Sequence, residues 1–146
     1  MIRDMAKGFT MHGAEMLCKD VGYIPSDKLN WKPDAAGKSV IDILQELVSG
    51  NLAIAAVLRG EAGEGKCEET DLEALKGALM STSQEVCSAI DGMSDEQLAG
   101  QVTMPWGMVM PAAAAIFLPA QHINYHDGQV NYIQLLLGDT AFHWME

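Results

Sequence analysis

The chain has 146 residues, a hydrophobic fraction of 49% and a formal net charge of −11. One domain of this size buries a full core without disulfides or a structural metal. The acidic balance speaks against a nucleic-acid-binding surface and against docking on an anionic membrane, both of which need a basic footprint. Cys18, Cys67 and Cys87 are odd in number and form no C-x-x-C pair, a pattern that fits a reducing cytoplasm. The longest apolar run, from Met108 to Ala120, falls short of the roughly 20 residues a membrane helix needs. No signal-peptide layout opens the chain.

Arg3 to Asp20 reads as a helix, with Met5, Phe9, His12 and Met16 at 4-3-4 spacing as its apolar stripe. His12 on that stripe is either a core histidine or a spare metal ligand. Pro25 to Lys38 is a connection, kept extended before Pro33, with Trp31 as an anchor at one end of the core. Ser39 has the chemistry of an N-cap, with Asp42 three residues on. The second helix then runs to Leu58 and stops at Gly60. Val40, Ile43, Leu44, Leu47, Ile54 and Leu58 form its buried arc. Asn51 falls inside that arc and needs hydrogen-bond partners there. Glu46 lies at the edge, beside Gly50 and Ala53, which are small enough for another group to approach closely.

Residues 61–69 form an acidic, Gly-containing loop unlike a phosphate loop. Thr70 and Glu73 read as a capping box for a third helix over Asp71–Ile90, with Leu72, Leu75, Leu79, Val86 and Ile90 inward. Ser94 caps one short turn reaching Ala99. Val102–Met110 is extended and apolar, a small hairpin turning at Trp106-Gly107. The last helix is expected over Pro111–Leu137, kinked at Pro119 and ended by Gly138. Phe142, His143 and Trp144 make a tail that folds back or meets a partner chain. Four long helical segments predict an all-α four-helix bundle with at least one longer crossover connection, the whole of 1–146 forming a single domain.

Chemistry concentrates in the last helix. His122 and His126 are four residues apart, one above the other on one helical face, so two imidazoles can close on one ion. His126 also falls on the stripe of Ile123, Val130, Ile133 and Leu137, so a core histidine is the competing reading. For Glu46 the competing reading is a solvated helix-edge carboxylate.

Leu29-Asn30-Trp31-Lys32-Pro33, Gly37-Lys38-Ser39-Val40, Thr103-Met104-Pro105-Trp106-Gly107 and above all His122-Ile123-Asn124-Tyr125-His126-Asp127-Gly128-Gln129 resemble, in order and spacing, the DinB family of four-helix-bundle proteins with a DinB/YfiT-like fold. The resemblance implies three histidines on a divalent metal, zinc or nickel. Here the first of those positions is Glu46. The set becomes two histidines and a carboxylate with an open coordination position, or else a site that has lost affinity. The resemblance further implies metal-dependent hydrolysis or thiol-dependent S-transfer, with a small-molecule substrate or thiol cofactor, and a homodimer, for which the apolar Met108–Met110 segment offers a surface. Gln129 and Asn51 are candidates to orient the ligands, and Tyr125, Trp106 and Trp31 to line a pocket mouth. A non-enzymatic metal- or small-molecule-binding bundle and a purely structural dimer stand beside the enzyme reading.

Overall fold

The computed structural model describes residues 1–146. Its long helices are α1 (Ile2–Val21), α2 (Val40–Leu58), α3 (Leu72–Gly92) and α6 (Leu118–Leu136). Between α3 and α6 come a short helix α4 (Asp95–Ala99), a two-stranded hairpin β1 (Gln101–Thr103) and β2 (Val109–Pro111), and one helical turn α5 (Ala112–Ala115). α1 and α2 each pack on both α3 and α6. The first two helices in sequence therefore stand on opposite corners of the bundle. Residues 22–39, with a 3-10 turn at Ser26–Lys28, cross one end to join them, and this is the expected long connection.

The core falls into two clusters. One draws Leu17, Ile43, Leu44, Leu47, Leu75, Leu79, Ile123 and Val130 from all four long helices. The other packs Ile54, Leu58, Val86, Ile90, Met104 and Ile116 at the hairpin end. Each fully buried aliphatic side chain contributes roughly 1.5–3 kcal/mol. By length and composition alone α2 could cross a membrane, yet most of it is buried inside the bundle.

Local signals set several boundaries as expected. Ser39 and Asp42 form a reciprocal capping box at the start of α2, and Ser94 and Gln97 do the same for α4. Gly60 and Gly138 end α2 and α6 with φ of 78° and 98°, a left-handed turn that costs a glycine little. The hairpin pairs Val102 with Met110 in antiparallel register.

Three expectations are corrected. The stripe of α1 is not Met5, Phe9, His12 and Met16: Met5 and Phe9 are half exposed and His12 is exposed. α1 instead buries Ala6, Thr10, Gly13, Ala14, Leu17 and Val21. This small-residue face lets α6 come close, since a Cβ on Gly13 would lie 3.2 Å from Ile123 Cγ2. The cap of α3 is Asp71, whose carboxylate accepts from Ala74 N at 2.9 Å, while Glu69, not Thr70, receives the neighbouring amides. The last helix is two helices. Pro119 does not kink a continuous one; it sits in the first turn of α6, where its missing N–H has no partner to lose.

The tail folds back. Trp144 Nε1 donates to Asp20 Oδ2 at 3.0 Å, and His143 stacks on Tyr23 with centroids 3.5 Å apart.

Candidate metal centre

α2 and α6 are neighbours, and their facing surfaces bring three donors together. Glu46 Oε1 lies 3.3 Å from His126 Nε2 and 3.5 Å from His122 Nε2. The two Nε2 atoms are 3.1 Å apart. In a tetrahedral site with bonds of about 2.0–2.1 Å, ligand atoms stand about 3.3 Å from one another. The three edges of this triangle match that figure. Proton supply points the same way. His126 Nδ1 donates to Gln129 Oε1 at 2.7 Å, which leaves Nε2 as a lone pair aimed at the other two donors. Three electron-rich atoms then face one another with at most the ring proton of His122 between them. The donor set and its spacing fit a divalent cation.

Each group is held. Gly50 makes room for the His122 ring, since a Cβ there would lie 3.2 Å from its Nδ1 and Cε1. His126 is buried and Tyr125 meets its ring edge-on at 5.2 Å. Lys38 pairs with Glu46 through Oε2, the oxygen that does not face the histidines. Burial works against charge on Glu46, but Lys38, and the two histidine rings whenever they carry a proton, outweigh it and hold its carboxyl below the usual range. Burial, and then the neighbouring His126, lower the pKa of His122, with Glu46 opposing. A lowered pKa keeps that ring neutral, as a metal ligand must be.

The triad borders a cleft of about 1180 Å³ between α2, α6 and two loops, with Gly50, Ala53, Gly63, Lys66, Trp106, Leu118 and Tyr125 among its walls. One wall is the loop 61–69, seated against α2 through its glycines. A Cβ on Gly65 would lie 2.0 Å from Ser49 O, and one on Gly63 would lie 2.6 Å from both Pro105 Cγ and Val57 Cγ2. Trp106 and Tyr125, 60% and 66% exposed, stand at the mouth.

The structure thus brings Glu46, His122, His126 and Gln129 together and puts Tyr125 and Trp106 on the cleft. It separates Asn51 from them. That side chain is buried between α2 and α3, donating to Ser83 Oγ at 3.1 Å, and does not orient the ligands. His12 is exposed and outside the donor cluster, so it is not the spare ligand. Trp31 packs on the core and does not line the cleft. Sequence reasoning missed Lys38 and the Gly63–Lys66 wall. The signal for Lys38 was its position one residue before the Ser39 cap, from which a long side chain reaches along α2. No local signal marked the wall.

A four-helix bundle with two histidines and a carboxylate between facing helices defines the class of protein. The DinB superfamily model matches residues 15–130, and the chain belongs to that superfamily. Its fold is the DinB/YfiT-like bundle. A DinB-like protein from Bacillus subtilis is 18% identical, with a TM-score of 0.76 and 96% of each chain covered. YfiT from Bacillus subtilis, described as a probable metal-dependent hydrolase with an unusual four-helix bundle topology, is 12% identical. Its TM-score is 0.76, with 93% of this chain and 87% of that one covered. The mycothiol-dependent maleylpyruvate isomerase is 8% identical with a TM-score of 0.70; 88% of this chain covers 60% of the isomerase. Among curated proteins no sequence match is found.

Proposed function

We propose that Glu46, His122 and His126 hold one divalent ion, zinc or nickel, and that the chain is a metal-dependent enzyme of the hydrolase or thiol S-transferase type acting on a small molecule. The observation that carries this reading is the donor triangle with edges of 3.1, 3.3 and 3.5 Å. A bound ion supplies Lewis acidity, lowering the pKa of a water or thiol brought to it. The protein's own residues do the rest. Gln129 fixes the tautomer and plane of His126. Lys38 occupies one oxygen of Glu46 and leaves the other to the ion. Glu46 and His122 line the cleft, so a substrate in it would reach an ion held by the triad. Superfamily membership and the hydrolase description of YfiT support the enzymatic reading over a binding bundle with a degenerate site.

The reading includes a homodimer in a reducing compartment. The three cysteines are unpaired, and Met108 and Val109 on the hairpin are about half exposed. Sedimentation showing a pure monomer at micromolar concentration would remove the dimer.

Elemental analysis of untagged protein tests the centre. Stoichiometric zinc or nickel is expected, lost in both Glu46→Ala and His126→Ala. Full metal retention by Glu46→Ala would break the triad, and metal-free wild-type protein that takes up none on addition would leave only the bundle.

A further inference from the structure

The cleft's chemistry narrows what can reach the triad, taking the metal reading above as its basis. Away from Glu46 and His122, the side chains on its walls are chiefly apolar or small. Trp106 and Tyr125 offer aromatic surface at the mouth, and Pro105 and Leu118 add apolar surface to the walls. Apart from Glu46, the charged groups on the walls are Lys66 and Glu64. Lys66, 77% exposed, pairs with Glu68 Oε1 at 2.7 Å and is outnumbered on its own loop by Glu61, Glu64, Glu68 and Glu69. The loop that forms this wall is therefore net negative, on a protein whose own charge is −11. Negative charge on a ligand is welcome only at the ion. Anywhere else it must be desolvated against aromatic and aliphatic surface or face Glu64, and the one wall cation, Lys66, is already shared with its own loop's carboxylates.

We infer that the cleft takes a small molecule with an apolar, preferably aromatic, body that presents one metal-binding head and carries no second negative charge. The aromatic body lies along Trp106 and Tyr125, where ring contacts add to burial. The head, a thiol or other donor, points at the gap between Glu46 and His122. A thiol that also bears a carboxylate is disfavoured by the same walls.

The test uses the full chain loaded with Co²⁺, whose d–d and thiolate-to-metal bands report both metal occupancy and thiol binding. Four thiols are titrated anaerobically at low salt: phenylmethanethiol, 4-(mercaptomethyl)benzamide, 4-(mercaptomethyl)benzoate and 2-mercaptoethanol. The amide and the carboxylate share size and head and differ in charge. The amide is expected to bind about ten-fold tighter than the carboxylate. Trp106→Ala is expected to weaken phenylmethanethiol about ten-fold while leaving 2-mercaptoethanol unchanged. Because Trp106 lies on an exposed turn, this variant keeps the fold, and an unaltered Co²⁺ band confirms that the centre is intact. Equal or tighter binding of the carboxylate, or equal losses for both thiols in Trp106→Ala, overturns the inference while the metal reading stands. Failure of wild-type protein to bind Co²⁺ at all overturns the metal reading and this inference with it.

Discussion

α6 carries two polar clusters on adjacent residues. His126 faces α2 and joins Glu46 and His122. Asp127, the next residue, is turned about 100° around the helix and joins Asp20 of α1. Both clusters are sheltered, and both contain carboxylates, but their proton inventories differ. Asp20 is served by two donors, Asn131 Nδ2 and Trp144 Nε1, each at 3.0 Å. Asp20 Oδ1 and Asp127 Oδ1 are buried with no hydrogen-bond partner, an arrangement that favours a proton on Asp127. Burial, then the charge of Asp20 and a hydrogen bond to it, push Asp127 up to about 8. That cluster is closed by its own protons and by the folded-back tail. The Glu46 cluster has three acceptor atoms converging and a cleft on its open side. The difference teaches that a polar cluster in a bundle signals a ligand when its lone pairs outnumber its protons.

The sharpest way to break this contrast is to remove a converging lone pair. His126→Ala should lose metal by more than the roughly 10–100-fold that removing an outer-shell partner costs, read by equilibrium dialysis against a competing chelator. Asp127→Ala should leave metal stoichiometry unchanged, and metal loss there would merge the two clusters into one. Next in size is Gln129→Leu. It removes the acceptor at His126 Nδ1 without touching a donor, and a metal affinity lower by about 10–100-fold is expected with the helical circular dichroism intact.

The closed cluster makes a prediction about pH. Asp127 has a raised folded-state pKa, so the folded protein holds a proton that the unfolded chain releases above about 4. Its contribution to stability is present in full at low pH and lost as pH rises from about 4 to about 8. Urea unfolding of metal-free protein should show a decline of at most about 1.4 kcal/mol per pH unit from this proton. His143, raised by the hydrogen bonds it donates to Asp139 and then to Glu146, is also stabilising below its ordinary pKa and loses that effect as pH rises through the raised one. Asp127→Asn should therefore flatten only part of the slope. An unchanged slope would mean that Asp127 holds no such proton in the folded protein.

The smallest effect is expected at Lys38. Its pair with Glu46 is partly exposed on both sides, so Lys38→Met should change stability by less than about 1 kcal/mol. The carboxyl of Glu46 should titrate at higher pH in that variant, measurable by NMR on metal-free protein. A change of several kcal/mol would place Lys38 in the structural class of Asp20 and Asp127.

The amino-acid order by itself determined the elements whose causes are local. The Ser39–Asp42 box, the Gly60 and Gly138 stops, the periodic arcs of α2 and α3, and the i,i+4 placement of His122 and His126 all follow from backbone chemistry within a few residues. Tertiary structure decided what depends on a partner. Which face of α1 turned inward was settled by how closely α6 could approach Gly13, and hydrophobicity favoured the wrong face, with His12 on it. Asn51 could be read as polar and buried, but only the packing of α3 showed that Ser83 receives it. Glu46 met the two histidines because α2 and α6 are neighbours, a relation set by the crossover of residues 22–39. The Gly63–Lys66 wall exists because two glycines let a loop lie flush against α2. Spacing along a helix is covalent and legible in sequence; convergence between helices is a property of packing, and the centre depends on both.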